Sequence, residues 1–343
     1  MKIAILGHFG IGKTLLNGQT VKSNNLADGL QKYTEIEIQK IDTHGWQSSP
    51  LRLLGLIRRA FKSCDAIIML PAHNGVRVFA PILLHYKKRY KKKVFYDVIG
   101  GWLPEFLKDK PSLAKTLHAF DGIWVETSSM QDRLCKMGFQ NVEVVRNFKS
   151  LHPLTEREII YSEEYPLKLC TFSRVMEEKG IEIAVDTVKK VNHHLGYTAF
   201  SLDIYGQVDE SQMRWFDDLK IRFPDYISYK GCVDSSASVE VLKSYFALLF
   251  PTRFYTEGIP GTIIDAYAAG VPVISAKWES FSDIINSQTG IGYGFDDTEE
   301  FEAILLNVAN NPSSLSEKKV YCLSESEKYK AETVIKQITE LLM

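Results

Sequence analysis

A chain of 343 residues, 45% hydrophobic and 24% charged, carries enough apolar material for two packed cores, and no apolar run approaches the ~18–20 residues of a membrane-spanning helix. Its five cysteines (Cys64, Cys135, Cys170, Cys232, Cys322) are dispersed without a Cys-x-x-Cys pair, which argues against a disulfide framework or zinc site and for a reducing cytoplasm. The net charge of −1 hides an asymmetry: residues 1–150 carry 23 Lys and Arg against 12 Asp and Glu, and residues 151–343 carry 18 against 30, so the halves face different partners or attract each other.

The chain opens on the strand-like KIAIL and passes into GHFGIGKT at residues 7–14, which fits the phosphate-cradling pattern G-x-x-x-x-G-K-[ST]. That loop works only if GKT opens a helix and a strand elsewhere ends in an Asp for Mg²⁺. Here Asn17 and Gly18 would fall in the first turns of such a helix, where Gly costs about 1 kcal/mol. The one candidate Asp, Asp97 at the end of VFYD, runs on into VIGG. The match therefore reads as accidental, with a P-loop NTPase kept as an alternative. The physics survives at a different address. Gly7, Gly10 and Gly12 let backbone amides approach an anion, and a helix beginning at Asn17, Gly18 and Gln19 offers its N-terminus.

Strand-length apolar runs then alternate with helical stretches: EIEIQKI, DAIIML, KVFYDV, DGIWVET and NVEVVRN, with SSPLRLLGLIRRAFKS and SSMQDRLCKMG among the intervening helices. A polar stretch at 151–166 interrupts the pattern. It restarts with LKLCTFS, FSLDIYG, YISYKGCV, YFALLFPT, VPVISA and IGYGF. The final helix places Val334, Ile335, Ile338, Leu341 and Leu342 on one face. Alternation of this kind predicts an α/β chain of two Rossmann-like, doubly wound domains facing across a cleft. Their expected bounds are a first domain at 1–150, a linker at 151–166, a second domain at 167–325, and a helix at 326–343 returning to the first. Ligands in such sheets lie beyond the carboxyl ends of the strands, where motifs should be sought.

Two segments of the second half satisfy that condition. In CTFSRVMEEKGIEIAV, Arg174 and Lys179 follow a strand at the start of a helix, where the helix dipole opposes cations, so a bound polyanion such as a pyrophosphate explains them better than a solvated pair. In FPTRFYTEGIPGTIIDAYAAGVPVIS, Glu257 precedes a helix N-terminus and Asp265 lies two turns further on.

These segments, with LDIYG and YKGCV, resemble the family-4 retaining glycosyltransferases of GT-B fold, in that family's order and spacing. NGQTVKSNNL, VIGGWLPEFL, DGIWVET and VVRNFKS look like a branch that builds bacterial surface polysaccharides. The resemblance implies transfer of a sugar from a nucleotide-sugar to a glycan or lipid-pyrophosphate-linked acceptor, with no cofactor, since the nucleotide-sugar is itself a substrate. It implies that Arg174 and Lys179 neutralise the departing diphosphate and that Glu257, with the backbone at Gly258 and Ile259, binds the donor sugar. It further implies that Asp265 holds the ribose hydroxyls, that Val233 lines the pocket setting sugar and base preference, and that Gly18, beside Gly12, Asn17 and Gln19, brings amides to the phosphate. No metal site is expected, and no nucleic acid. A nucleotide-sugar epimerase or binder of similar fold stays open beside the transferase.

The chain departs from the family's pattern in three places. Asp265 stands where relatives carry Glu, Gln207 and Val208 replace a second glycine after LDIYG, and Ile99 of VIGG stands where many carry His. The acceptor side is therefore assigned to His73, Asp97 and Gly100, all near strand ends. The basic stretches LRLLGLIRRAFK and HYKKRYKKKVF suggest a cytoplasmic enzyme held at the anionic inner membrane surface.

Overall fold

The computed structural model describes residues 1–12 and 18–343. It divides into two compact units, Met1–Ser150 with Lys328–Met343, and Leu151–Glu327.

The first unit is built on six parallel strands: β1 (Lys2–Gly7), β2 (Glu37–Asp42), β3 (Ala66–Met69), β4 (Lys93–Asp97), β5 (Gly122–Val125) and β6 (Val142–Val144). Their order is β2-β1-β3-β4-β5-β6. Because helices cover both faces, the strands are continuous apolar runs rather than alternating ones. Ile3 and Ile5 of β1 face one core, Ala4 and Leu6 the other. The first of these cores is closed by helix Ala331–Leu342, whose Val334, Ile335, Ile338 and Leu342 are buried with Leu26 and Leu30 of helix Gly18–Tyr33. Helix Pro50–Ser63 buries Leu53, Ile57, Ala60 and Phe61. Leu54 shares the apolar stripe of LRLLGLIRRAFK with Leu53, Ile57 and Phe61, yet lies with Leu51 on the outside, 37% and 83% exposed.

The second unit repeats the plan with β7 (Leu167–Phe172), β8 (Phe200–Tyr205), β9 (Ile227–Gly231), β10 (Ala247–Phe250), β11 (Val273–Ala276) and β12 (Gly290–Tyr293), ordered β12-β11-β10-β7-β8-β9. Each of the twelve apolar runs read from the sequence is a strand. Residues 151–166 group with this unit rather than standing between the two: the Leu154 amide donates to the Ala268 carbonyl at 2.9 Å, and Ile159 is buried.

Each sheet has one place where the strand order reverses, between β1 and β3 in the first and between β7 and β10 in the second. Loops leaving neighbouring strands in opposite directions open a crevice there, beyond the carboxyl ends.

Candidate active site

In the second unit the loops after β7 and β10 meet at the reversal point. The chain leaves β7 through Ser173 and Arg174, forms a short 3₁₀ turn at Glu177–Lys179, and enters helix Ile181–Leu195 at Gly180. Two glycines make this path possible. Gly180 has φ +70°, and a Cβ on it would lie 1.8 Å from the Pro251 carbonyl oxygen. Gly206, after β8, has φ +132° and would meet the Ser173 carbonyl at the same distance. Backbone therefore packs directly on backbone to either side of Arg174.

The side chains sort themselves accordingly. Lys179 pairs with Glu257, and both are largely buried, 19% and 17% exposed. The Lys179 ammonium also sits 4.9 Å from the Phe254 ring centroid and 5.7 Å from that of Phe250. Thr252 Oγ1 donates to Glu257 Oε1 at 3.3 Å. Arg174 is more open, 45% exposed, with Nη1 3.4 Å from Asp209 Oδ2. Bonds from the Ser211 hydroxyl and amide, together with the Arg174 charge, hold the Asp209 carboxyl below its usual range. An exposed pair of this kind is worth at most about 1 kcal/mol, so Arg174 is held but exchangeable.

Gly258 and Ile259 are buried in the turn that leads through Pro260 into helix Gly261–Ala268. Asp265 lies on that helix and is buried, 3% exposed. Val233 follows β9, two strands from β7 at the same edge of the sheet. Asp297 caps helix Thr298–Asn310, accepting from the Glu300 amide at 2.9 Å. Among the described residues no group of three or more His, Cys, Asp or Glu is placed to hold a metal ion.

In the first unit the glycine loop has a different occupant from the one expected. Asp42, at the end of β2, accepts the amides of Phe9 (3.0 Å) and Ile11 (2.9 Å), and that of Gly10 also bonds it. Three amides of the glycine loop, those of Phe9, Gly10 and Ile11, are thus engaged by the chain's own carboxylate. Gly10 and Gly12 adopt φ +63° and +81° to make the turn. Gly18 is exposed at the first position of helix Gly18–Tyr33, with Gln19 partly covered beside it. Lys13 and Asn17 lie outside the described residues.

Asp97 is not an open acceptor-side group. It is 2% exposed, 2.9 Å from the Lys22 ammonium, which also donates to Glu126 Oε1 (2.8 Å) and to the Val98 carbonyl (2.9 Å). Burial and the Glu126 charge push the Asp97 carboxyl up, against the pull of Lys22. Burial opposes the Lys22 charge in turn, but the two carboxylates hold it above its ordinary value. The cluster ties helix Gly18–Tyr33 to the ends of β4 and β5.

His73 is placed differently. It is exposed, precedes helix Asn74–Tyr90 with φ 39° and ψ −104°, and stacks on Trp102 with centroids 4.1 Å apart. Positive φ at a non-glycine residue is uncommon and is stored most often at functional loops. Partial burial lowers the His73 imidazole below its ordinary range. Trp102 is fixed by its indole N–H donating to the Ile99 carbonyl (2.7 Å), over the turn in which Gly100 has φ +77°. An imidazole thus reaches the VIGG loop from the neighbouring strand, where the sequence itself supplies Ile99. Sequence reasoning missed Thr252, Phe254 and Asp209, which hold the site's charged groups. It also passed over His8 and His44, each within two residues of a strand end.

Comparison with known proteins agrees with this layout. The family model for glycosyl transferases group 1 matches residues 166–311, within the second unit. The amylovoran biosynthesis glycosyltransferase AmsK of Erwinia amylovora is 22% identical over 294 residues, covering 80% of this chain and 69% of that one. The structure of Anabaena HepE in complex with UDP-glucose superposes with a TM-score of 0.74 at 14% identity, covering 100% of this chain and 99% of that one. The lipopolysaccharide outer core galactosyltransferase WaaB does so with a TM-score of 0.72 at 16% identity, over 100% and 99%. The group 1 match lies on the second unit, and the two Rossmann-like sheets share the GT-B fold of these structures, which together support glycosyltransferase activity for this chain.

Proposed function

We propose that the protein moves a sugar from a nucleotide-sugar, bound by the second unit, to a glycan or lipid-linked glycan acceptor bound by the first, during surface polysaccharide synthesis. The anomeric configuration is retained and no metal ion or cofactor takes part. The observation that carries the reading is the meeting of Lys179 and Glu257 at the reversal point of the second sheet, with Arg174 beside it on the same loop. HepE, of the same fold, is a protein that binds UDP-glucose, and a UDP-sugar is the first donor to test.

The chemistry follows from charge. As the bond between sugar and diphosphate breaks, negative charge accumulates on the leaving group, and fixed cations stabilise it more than they stabilise the intact donor. Arg174 gives up a weak surface pair with Asp209 to meet it. Lys179 turns from Glu257 to a phosphate oxygen, which releases the Glu257 carboxylate to accept hydroxyls of the sugar. Asp265 takes the ribose, and the turn at Gly258 and Ile259 supplies backbone to the sugar. On the acceptor side His73 carries the contact, with Gly100 giving the loop its turn.

Arg174→Ala is the test. It lowers turnover by roughly 100–1000-fold, as loss of a transition-state charge partner does. Lys13→Ala costs far less. Loss of activity in the Lys13 variant with full activity in the Arg174 variant would reverse the assignment in favour of an NTPase. Donor affinity with neither transfer nor slow hydrolysis would identify a binder, and sugar conversion independent of acceptor an epimerase.

The first unit is proposed to rest on an anionic membrane surface. Leu51 and Leu54 project from helix Pro50–Ser63 among exposed Arg52, Arg58, Arg59 and Lys62, which suits an interface of lipid and water.

A further inference from the structure

At the amino ends of β4 and β5 the first unit carries a concavity of about 410 Å³, lined by Lys87, Lys88, Lys91, Lys92 and Lys93 with Asp121 opposite them. The crevice where β1 and β3 diverge lies beyond the carboxyl ends of the strands, so this concavity sits at the far edge of the same sheet. Helix Asn74–Tyr90 ends over it, and the chain returns at once through Lys91 and Lys92 into β4. Five ammonium groups held this close repel one another, which calls for an explanation.

Internal partners account for only part of the charge. Lys87 pairs with Asp121 at 2.8 Å, and Lys92 faces Asp65 at 3.9 Å. Both carboxylates also hold backbone, Asp121 accepting the Val94 amide (2.7 Å) and Asp65 the Lys2 amide (2.8 Å). Lys93 donates to the Leu342 and Met343 carbonyls. Lys88 and Lys91 are exposed, and among the described residues neither has a carboxylate within ion-pairing distance. A helix C-terminus favours cations in its last turn, which explains Lys87 and Lys88 as residue types. It does not explain Lys91. That residue caps the helix at φ 52° and ψ 43°, a left-handed conformation that glycine adopts freely and a lysine does not.

We infer that this concavity binds a phosphate group of two or more negative charges, a phosphomonoester or a diphosphate, carried on a lipid head or free in solution. Lys88 and Lys91 make the direct contacts, and Lys92 turns to the anion from its distant partner Asp65. Ammonium groups on flexible stems are point charges with rotatable donors, which suits a tetrahedral phosphate better than a planar carboxylate. Lys87, tied to Asp121, forms the wall. The site lies wholly within the first unit and does not depend on the sugar-transfer reading.

Lysine footprinting on the full chain tests the site. Acetylation of each lysine by acetic anhydride is read by mass spectrometry with and without inorganic pyrophosphate, ionic strength being matched with chloride. At ten times its Kd, pyrophosphate should protect Lys88 and Lys91 about tenfold, while the exposed Lys32 and Lys220 stay unchanged. Vesicles of neutral phosphatidylcholine, doped with phosphatidic acid or with phosphatidylglycerol at equal charge, separate the sources. Protection by pyrophosphate shows that a free phosphate suffices, protection by phosphatidic acid alone assigns a lipid head, and either sustains the site. Lys91→Gly suits the backbone at φ 52° and so reads binding on a folded protein. It should weaken pyrophosphate about tenfold, as should Lys88→Gln, each removing one charge-assisted contact. Affinity unchanged in both variants overturns the site. So does protection by neither probe, protection that chloride reproduces, or equal protection by the two lipids with none from pyrophosphate. The same spectra read Lys179, so the donor site in the second unit stands or falls separately.

Discussion

Replacing Lys319 with methionine should change how the stability of the protein depends on pH. Lys319 begins helix Lys319–Ser326 and is 1% exposed. Its ammonium donates to the Tyr245 carbonyl at 3.0 Å, and among the described residues no carboxylate lies within ion-pairing distance. Burial therefore dominates and brings the ammonium down from 10.5 to about 8, with the Cys322 and Cys170 thiols opposing. At 1.36 kcal/mol per pH unit, that gap is about 3 kcal/mol. The unfolded chain keeps the proton up to pH 10.5 and the folded chain only to about pH 8, so this group weakens the fold fully below pH 8 and stops doing so as pH rises to 10.5. Denaturant titrations of wild type and Lys319→Met at intervals from pH 7 to 10.5 isolate the effect, because buried tyrosines such as Tyr96 and Tyr293 titrate alike in both. The wild type should gain about 3 kcal/mol relative to the variant across that range. At pH 7 the variant should be at least as stable, the relief of a buried charge offsetting the ~1–3 kcal/mol of an unpaired carbonyl. Parallel curves would refute the reasoning, as would a variant markedly weaker at pH 7.

Further outcomes follow from other sites. Gly180→Ala drives a Cβ into the Pro251 carbonyl at a φ of +70°, so it should cost several kcal/mol, about 1–2 of them from the backbone alone. It should also displace Lys179, and wild-type activity in a folded Gly180→Ala protein would contradict the site geometry. Lys22→Met leaves Asp97 and Glu126 buried without their cation and should destabilise by roughly 3–5 kcal/mol, checked by denaturant unfolding; an unchanged midpoint would show that the cluster is not charged. Sedimentation with vesicles should require anionic lipid, weaken with salt, and fall when Arg58, Arg59 and Lys62 become Gln. Binding indifferent to those residues and to salt would remove the membrane proposal. Lys92 and Lys93 of the stretch HYKKRYKKKVF are poorer probes, because Lys93 donates to the Leu342 and Met343 carbonyls and Lys92 faces Asp65 at 3.9 Å.

The strands were legible because a sheet covered on both faces writes each of them as an unbroken apolar run, and KIAIL or DAIIML can hardly be anything else. Arg174 and Lys179 were legible as cations in the wrong place for a helix dipole. What the sequence hides is pairing between distant positions. Nothing near Asp97 announces that Lys22, 75 residues earlier, neutralises it in the core, so a carboxylate at a strand end looks open when it is closed. In the same way the glycine loop advertises amides for an anion, and only the adjacency of β1 and β2 reveals that Asp42 engages those of Phe9, Gly10 and Ile11. Leu54 illustrates a subtler limit: a stripe of apolar residues says which helix face can pack, and the width of the neighbouring surface decides how much of it does.

The return of helix Ala331–Leu342 to the first unit makes the second unit an insertion within the first. A fragment ending at residue 327 would strip Val334, Ile335, Ile338 and Leu342 from a core that residues 1–150 cannot close alone, exposing Leu26 and Leu30 to water. Limited proteolysis near 327 should therefore injure the half of the molecule in which it makes no cut. Recombination obeys the same constraint: exchanging the second unit between such proteins requires two junctions, at 150/151 and 327/328, and a single crossover gives each offspring another parent's closing helix. The face joining Gly29 to Ile335, where a Cβ would lie 2.9 Å from Ile335 Cδ1, is thus the place where chimeras of this architecture should first fail.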